Sequence, residues 1–177
     1  MVGAIREWLG LGSVETPEQA PLRDLVDALD QLEPDRARYL ARFAYLLGRV
    51  AHADRHVSPG ETQAMEALVM EEGGITPDQA MLVVSLAKTS NLLFGGTADF
   101  EVAREFADAA SHDDKRALAR CVFAVAASDE AISMSEETEI HRILNQLRIE
   151  PAELTALRVA HRRFLPGVSK SRGDVRS

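Results

Sequence analysis

Two stretches of the chain carry the same arrangement of acids and hydroxyls. Val50-Ala51-His52-Ala53-Asp54-Arg55-His56-Val57-Ser58-Pro59-Gly60-Glu61 lies over Val125-Ala126-Ala127-Ser128-Asp129-Glu130-Ala131-Ile132-Ser133-Met134-Ser135-Glu136, with every position displaced by 75 residues. Both copies read Asp-x-x-(Val/Ile)-Ser-x-x-Glu. That spacing matches the second half of a calcium-binding EF-hand loop, with Asp at the fifth position, an aliphatic at the eighth, Ser at the ninth and Glu at the twelfth. The first half departs from it. Val50 and His52 in one copy, and Val125 and Ala127 in the other, stand where the first and third ligands belong, and Arg55 and Glu130 replace the sixth-position glycine. The pattern is not an EF-hand. Ser58/Glu61 and Ser133/Glu136 also read as capping boxes, with Val57 and Ile132 as apolar plugs before the next helix and Asp54 and Asp129 as turn residues. Yet Asp at a helix C-terminus opposes the helix dipole, and its presence there twice points to a further role. Carboxylate oxygens suit a hard cation of the Ca²⁺ or Mg²⁺ type.

Other residues capable of chemistry are fewer. His52 and His56 flank Asp54 at i, i+4, a spacing suited to Zn²⁺ or Ni²⁺. The second copy has Ala127 and Ala131 there, so the pair is read as surface histidines and Zn²⁺ as the poorer fit. His112, His141 and His161 are scattered. The single cysteine, Cys121, lies in an apolar run and reads as a small core residue. No Gly-x-Ser-x-Gly elbow, phosphate loop or dinucleotide fingerprint is present. The chain is therefore read as no enzyme, with a hydrolase using metal-bound water as the weakest alternative.

The elements that would position these residues are helices. Ser or Thr followed three residues later by Glu or Gln marks helix starts at Thr16-Pro17-Glu18-Gln19, Ser58-Pro59-Gly60-Glu61, Thr76-Pro77-Asp78-Gln79 and Ser133-Met134-Ser135-Glu136. Pro34 and Pro151 open two more, and Gly73-Gly74 and Gly95-Gly96 supply stops. These signals predict helices at 21–32, 35–53, 59–72, 77–93, 99–110, 112–128, 134–147 and 151–164, and no strand. The duplication runs beyond the motif. Phe43 matches Leu118, Leu47 matches Val122, Met65 matches Ile140 and Leu68 matches Ile143. Ile75-Thr76-Pro77 then aligns with Ile149-Glu150-Pro151 after the loss of one residue. Each three-helix unit is too small to bury its apolar faces alone. The expected fold is all-α, a single-domain bundle of two pseudo-twofold-related three-helix units. Its domain spans 16–166, with repeat one at about 35–93 and repeat two at about 112–164. The Leu82-Val83-Val84, Leu92-Leu93-Phe94 and Ala124-Val125-Ala126-Ala127 runs read as core, with the first two as an alternative groove for a partner helix.

The net charge of −8 is unevenly spread. Residues 158–177 sum to +5, leaving −13 on the rest, and an acidic body of this kind repels nucleic acid and attracts cations. Segment 167–177 reads as a disordered basic tail. Segment 1–15 carries Val2, Ile5, Trp8 and Leu9 at helical spacing and reads as a docking segment for its own domain. A peripheral membrane contact through Met1–Leu11 is the alternative. No apolar run is long enough to span a bilayer and no signal peptide is evident, so the expected compartment is the cytoplasm.

The doubled helix–Ala-Asp-x-x-(Val/Ile)-Ser-x-x-Glu–helix pattern resembles the TerB-like family. That family includes tellurite-resistance proteins and the helical domain of a membrane-anchored J-domain co-chaperone. The resemblance covers about residues 20–165. It implies two pseudo-symmetric helical units, acidic loop residues that bind divalent metal, and a role in stress response. By position, it assigns ligands to Asp54 and Glu61 in the first copy and to Asp129 and Glu136 in the second. Family members usually carry Gly after each Asp. Here Arg55 weakens the first site for cations while Glu130 adds an acid to the second, so Asp129, Glu130 and Glu136 form the favoured set. The expected function is a non-enzymatic module binding a divalent cation in a tellurite resistance-like stress response, with an unidentified protein partner. The alternative is a metal-free interaction scaffold or co-chaperone-like adaptor.

Overall fold

The computed structural model describes residues 20–51, 59–90, 97–127 and 131–165. The expected docking segment at 1–15, the capping box at Thr16 and the basic tail at 167–177 lie outside these residues. Eight α-helices are present among the described residues: α1 (Ala20–Asp30), α2 (Pro34–Ala51), α3 (Pro59–Gly73), α4 (Pro77–Ser90), α5 (Thr97–Ala109), α6 (His112–Ala127), α7 (Met134–Gln146) and α8 (Pro151–Ala160). A 3₁₀ turn, Arg162–Phe164, follows α8, and no strand occurs among the described residues. The all-α expectation holds, and each predicted helix is found close to its predicted bounds. The largest internal difference is at α8, expected to run to 164. It tightens after Ala160, where His161 leaves helical geometry.

Local chemistry explains the starts. Thr76 Oγ1 accepts from the Gln79 N–H at 3.3 Å at the head of α4. Before α2, the Glu33 carboxylate accepts from the Asp35 and Arg36 N–H groups at 3.0 and 3.2 Å. Before α6, Ser111 Oγ accepts from the Asp114 N–H while the Asp114 carboxylate accepts from the Ser111 N–H, both at 3.1 Å. Each contact satisfies an N–H that the first helical turn leaves without a partner.

The core is built around α2. Eleven of its 18 residues are buried, because its second half, Phe43 to Ala51, carries apolar or small residues on nearly every face. It packs on α1, α4, α5, α6 and α7, while α6, with nine buried residues, also packs on α3, α7 and α8. Phe43 and Phe106 meet edge-on at 6.5 Å between ring centres, and Tyr39 stacks on Phe106 at 5.6 Å. Burying each such side chain stabilises the fold by about 1.5–3 kcal/mol.

The duplication is visible in the backbone. Gly74, between α3 and α4, and Arg148, between α7 and α8, occupy aligned positions and adopt left-handed φ values of 61° and 57°. Both turns thus reverse the chain in the same way between the second and third helices of a unit. The packing of the two copies is unequal. α3 lies against α6 and α7 against α2, but α2 and α4 pack extensively where α6 and α8 touch only slightly. Polar ties cross between the copies. Arg49 of α2 is 9% exposed; its guanidinium donates to Glu139 Oε1 of α7 at 2.6 Å through Nε and to Gln146 Oε1 at 3.1 Å. Arg120 of α6 donates to the Glu72 carboxylate and to the Glu72 carbonyl, both at 3.1 Å, closing the C-terminal end of α3.

Candidate functional site

The two acidic motifs sit at the α2–α3 and α6–α7 junctions, each following the C-terminus of one of the two interior helices. Asp54, Asp129 and Glu130 lie outside the described residues, as do His52 and His56. Glu61 falls in the first turn of α3, and its side chain is likewise outside what is described. Glu136 is the predicted ligand whose surroundings are in view.

Glu136 is 5% exposed and closes a complete capping box. Its Oε2 accepts from the Ser133 N–H at 2.7 Å, and its own N–H donates to Ser133 Oγ at 3.2 Å. Ser133 Oγ also lies 3.0 Å from Ser135 Oγ. Ahead of the box, Ile132 is buried as a plug, and its N–H donates to the Phe164 carbonyl at 2.7 Å. The C-terminal 3₁₀ turn therefore holds the exit of the second motif loop. Glu137, next to Glu136, pairs with Arg158 of α8 at 2.7 Å, and Arg158 also hydrogen-bonds His141. The acids Glu136 and Glu137 in the first turn of α7 complement its positive dipole end. Among the described residues, no three His, Cys, Asp or Glu side chains converge on a common point where they could hold a metal ion. The donor set named by the motif consists wholly of carboxylates, which fits a hard divalent cation by chemical type.

Cys121 is buried in α6, with its thiol pushed up to about 12 by burial and then by the negative charge of Glu72. It is a core group, as expected from its apolar surroundings.

Two surface features lie away from the motifs. A cavity of about 550 Å³ opens beside the first half of α2, lined by Arg36, Arg38, Tyr39, Arg42, Phe106 and Asp114 among others. Its charges are matched internally: Arg38 pairs with Asp35 at 2.6 Å, Arg42 with Glu105 at 2.8 Å, and Arg36 donates to Gln79 and lies over the Tyr39 ring. The Tyr39 hydroxyl is held above its ordinary range by burial first and by the neighbouring Asp114 carboxylate second. Nothing in the sequence singled out this cavity, and only the fold brings Asp114 to Tyr39 and its neighbouring arginines. A second, apolar groove of about 370 Å³ lies between α1 and α4.

A family model described as tellurite resistance protein TerB matches residues 41–159, from the middle of α2 to the end of α8. That span contains both motif loops. Neither the curated proteins nor the solved structures include a match to the chain.

Proposed function

Since the chain belongs to the TerB family, we propose that it is a non-enzymatic helical module that binds a divalent cation through its duplicated acidic loops, as part of a stress response of the tellurite-resistance type. The observation that carries this reading is the repetition of Asp-x-x-(Val/Ile)-Ser-x-x-Glu at equivalent junctions within the matched region. The proposed ligands are Asp54 and Glu61 in the first loop and Asp129, Glu130 and Glu136 in the second, with Ca²⁺ or Mg²⁺ favoured by the all-oxygen set. The second loop is the stronger site, because Glu130 adds negative charge where Arg55 subtracts it in the first. The buried Glu136 carboxylate and the Ile132–Phe164 hydrogen bond support this reading by giving the foot of that loop a fixed geometry.

A metal-free interaction scaffold is the second reading, favoured by the fact that the Glu136 carboxylate is already engaged by the Ser133 N–H. Calorimetric titration of EDTA-stripped protein with Ca²⁺, Mg²⁺, Mn²⁺ and Zn²⁺ separates the two. Saturable binding that Asp129→Asn abolishes and Ser133→Ala preserves supports the cation site. Ser133→Ala should instead lower stability by about 0.5–2 kcal/mol through loss of the cap. No binding by the unmodified protein overturns the cation reading and leaves the scaffold.

A further inference from the structure

The groove between α1 and α4 leaves apolar side chains facing water. Leu25, Ala28 and Leu32 repeat along α1 at i, i+3 and i+7, and Met81, Leu82 and Ser85 line the opposite wall on α4. Met81 is 54% exposed, while Leu25, Leu32 and Leu82 are half-buried. Directly upstream of α1, the chain carries a matching stripe: Val2, Ile5, Trp8 and Leu9, at i, i+3, i+6 and i+7. We propose that the segment Val2–Leu9 is the occupant of this groove, seated as a short helix along α1 and α4. The inference is independent of the cation reading, since no motif residue lines the groove.

The dimensions agree. Seven residues separate Leu25 from Leu32 and Val2 from Leu9, so each stripe is about 10 Å long at 1.5 Å per helical residue. The connecting stretch Gly10–Thr16, ahead of the helix start at Thr16-Pro17, can extend to about 23 Å, enough to bring the segment back alongside α1. Gly10 and Gly12 ease the reversal by admitting backbone conformations closed to other residues. An eight-residue helix is unstable alone, so its order must come from the surface it meets. Attachment to the same chain gives it an effective concentration of millimolar order, which a separate partner helix would have to exceed.

Charge selects against a bilayer as the alternative seat. Arg6 and Glu7 cancel, and acids prevail at the groove: Asp78 on its rim and Asp24 and Asp27 exposed on α1 stand against Arg23 of α1 and Arg36, which reaches the lining Gln79. An anionic membrane surface is repelled by such a face, whereas Asp78 offers a counter-charge to Arg6.

Trp8 is the only tryptophan in the chain, so its fluorescence reports on this segment alone. The experiment measures Trp8 emission and acrylamide quenching in the full-length protein and in the Ala28→Glu/Met81→Glu double variant. Both substituted positions are exposed, so the fold is retained, and circular dichroism verifies this. The expected result is a blue-shifted, poorly quenched Trp8 in the unmodified chain, and a red shift with severalfold stronger quenching in the variant. Four results overturn the proposal: an exposed Trp8 in the unmodified chain, shielding that the double variant leaves intact, shielding that disappears on dilution, or shielding that arises only with anionic vesicles.

Discussion

At Gly74 and Arg148 the same backbone conformation is met by two different residues. Glycine accepts a left-handed φ without steric penalty, and its position was legible in the sequence as a helix stop. Arg148 pays a cost of about 1–2 kcal/mol for that conformation and carries no local sign of it, so Pro151 marked the turn but only alignment with the first copy could have pointed to its left-handed residue. The caps divide in the same way. Ser133 and Glu136 announced theirs by residue type, whereas Glu33 before α2 did not, because a longer acid is an unusual N-terminal cap. Cys121 was legible as core from its neighbours, and its thiol makes a pH prediction. Its folded-state pKa is raised from 9.0 to about 12, so the folded protein keeps a proton that the unfolded chain releases above pH 9. Stability from this group is complete below pH 9 and is lost as pH rises towards 12, by about 1.4 kcal/mol per pH unit. Guanidinium unfolding between pH 8 and 11 should therefore show a steeper loss for the unmodified protein than for Cys121→Ala, whatever the variant's stability at pH 8. Equal slopes would mean that the thiol ionises as readily inside the fold as outside it.

Among the elements, helix identities followed from caps and stops, since each start pairs a hydroxyl, an acid or a proline with an apolar run. What joins the helices was not legible. Arg49 and Glu139 lie 90 residues apart in sequence, and nothing local marks either as anything but a surface charge. In the fold they are 9% and 15% exposed and fasten α2 to α7 across the two copies of the repeat. A pair this buried loses most of its hydration, so removing one partner is far more costly than removing both. Arg49→Ala should destabilise the protein by less than the about 3–5 kcal/mol lost when a buried charge is left with no partner, because Glu139 loses its shortest ion pair but keeps Arg142 at 3.5 Å, while Arg49→Met with Glu139→Leu should recover most of that loss. Chemical denaturation of the single and double variants checks this. A double variant as unstable as Arg49→Ala would mean that the arginine acts through packing and not through its charge.

For the molecule as a whole, the repeat was the strongest message of the sequence, and it led to the family whose model spans residues 41–159. The candidate site was legible only as a pattern of residue types. Its acids come from two junctions, and Asp54, Asp129 and Glu130 fall where the structure describes no geometry, so Glu61 is placed only by its backbone and Glu136 alone by its side chain. The unequal roles of the two copies were not legible either, because nothing local says how far the third helix of each unit is covered: α4 buries Ala80, Val83, Val84, Leu86 and Ala87. α8, its counterpart, has no fully buried residue: Leu154 and Leu157 pack partly against the core, and polar ties run from Arg158 to Glu137 and from Glu153 to His112 and Arg116. It follows that the second copy cannot stand alone. Residues 97–177 without α2 and α3 would uncover the faces of α5, α6 and α7 that pack on them, Phe106 and Cys121 among their buried side chains, at a loss of about 1.5–3 kcal/mol for each large apolar one, against a total stability for such a domain of only about 5–15 kcal/mol. Expressed separately, this half should show little helical circular dichroism and no cooperative melt, and it should gain helix when mixed with residues 1–96. A cooperative transition in the isolated half would show instead that the two copies are autonomous units, and that the ties through Arg49 and Arg120 only dock them.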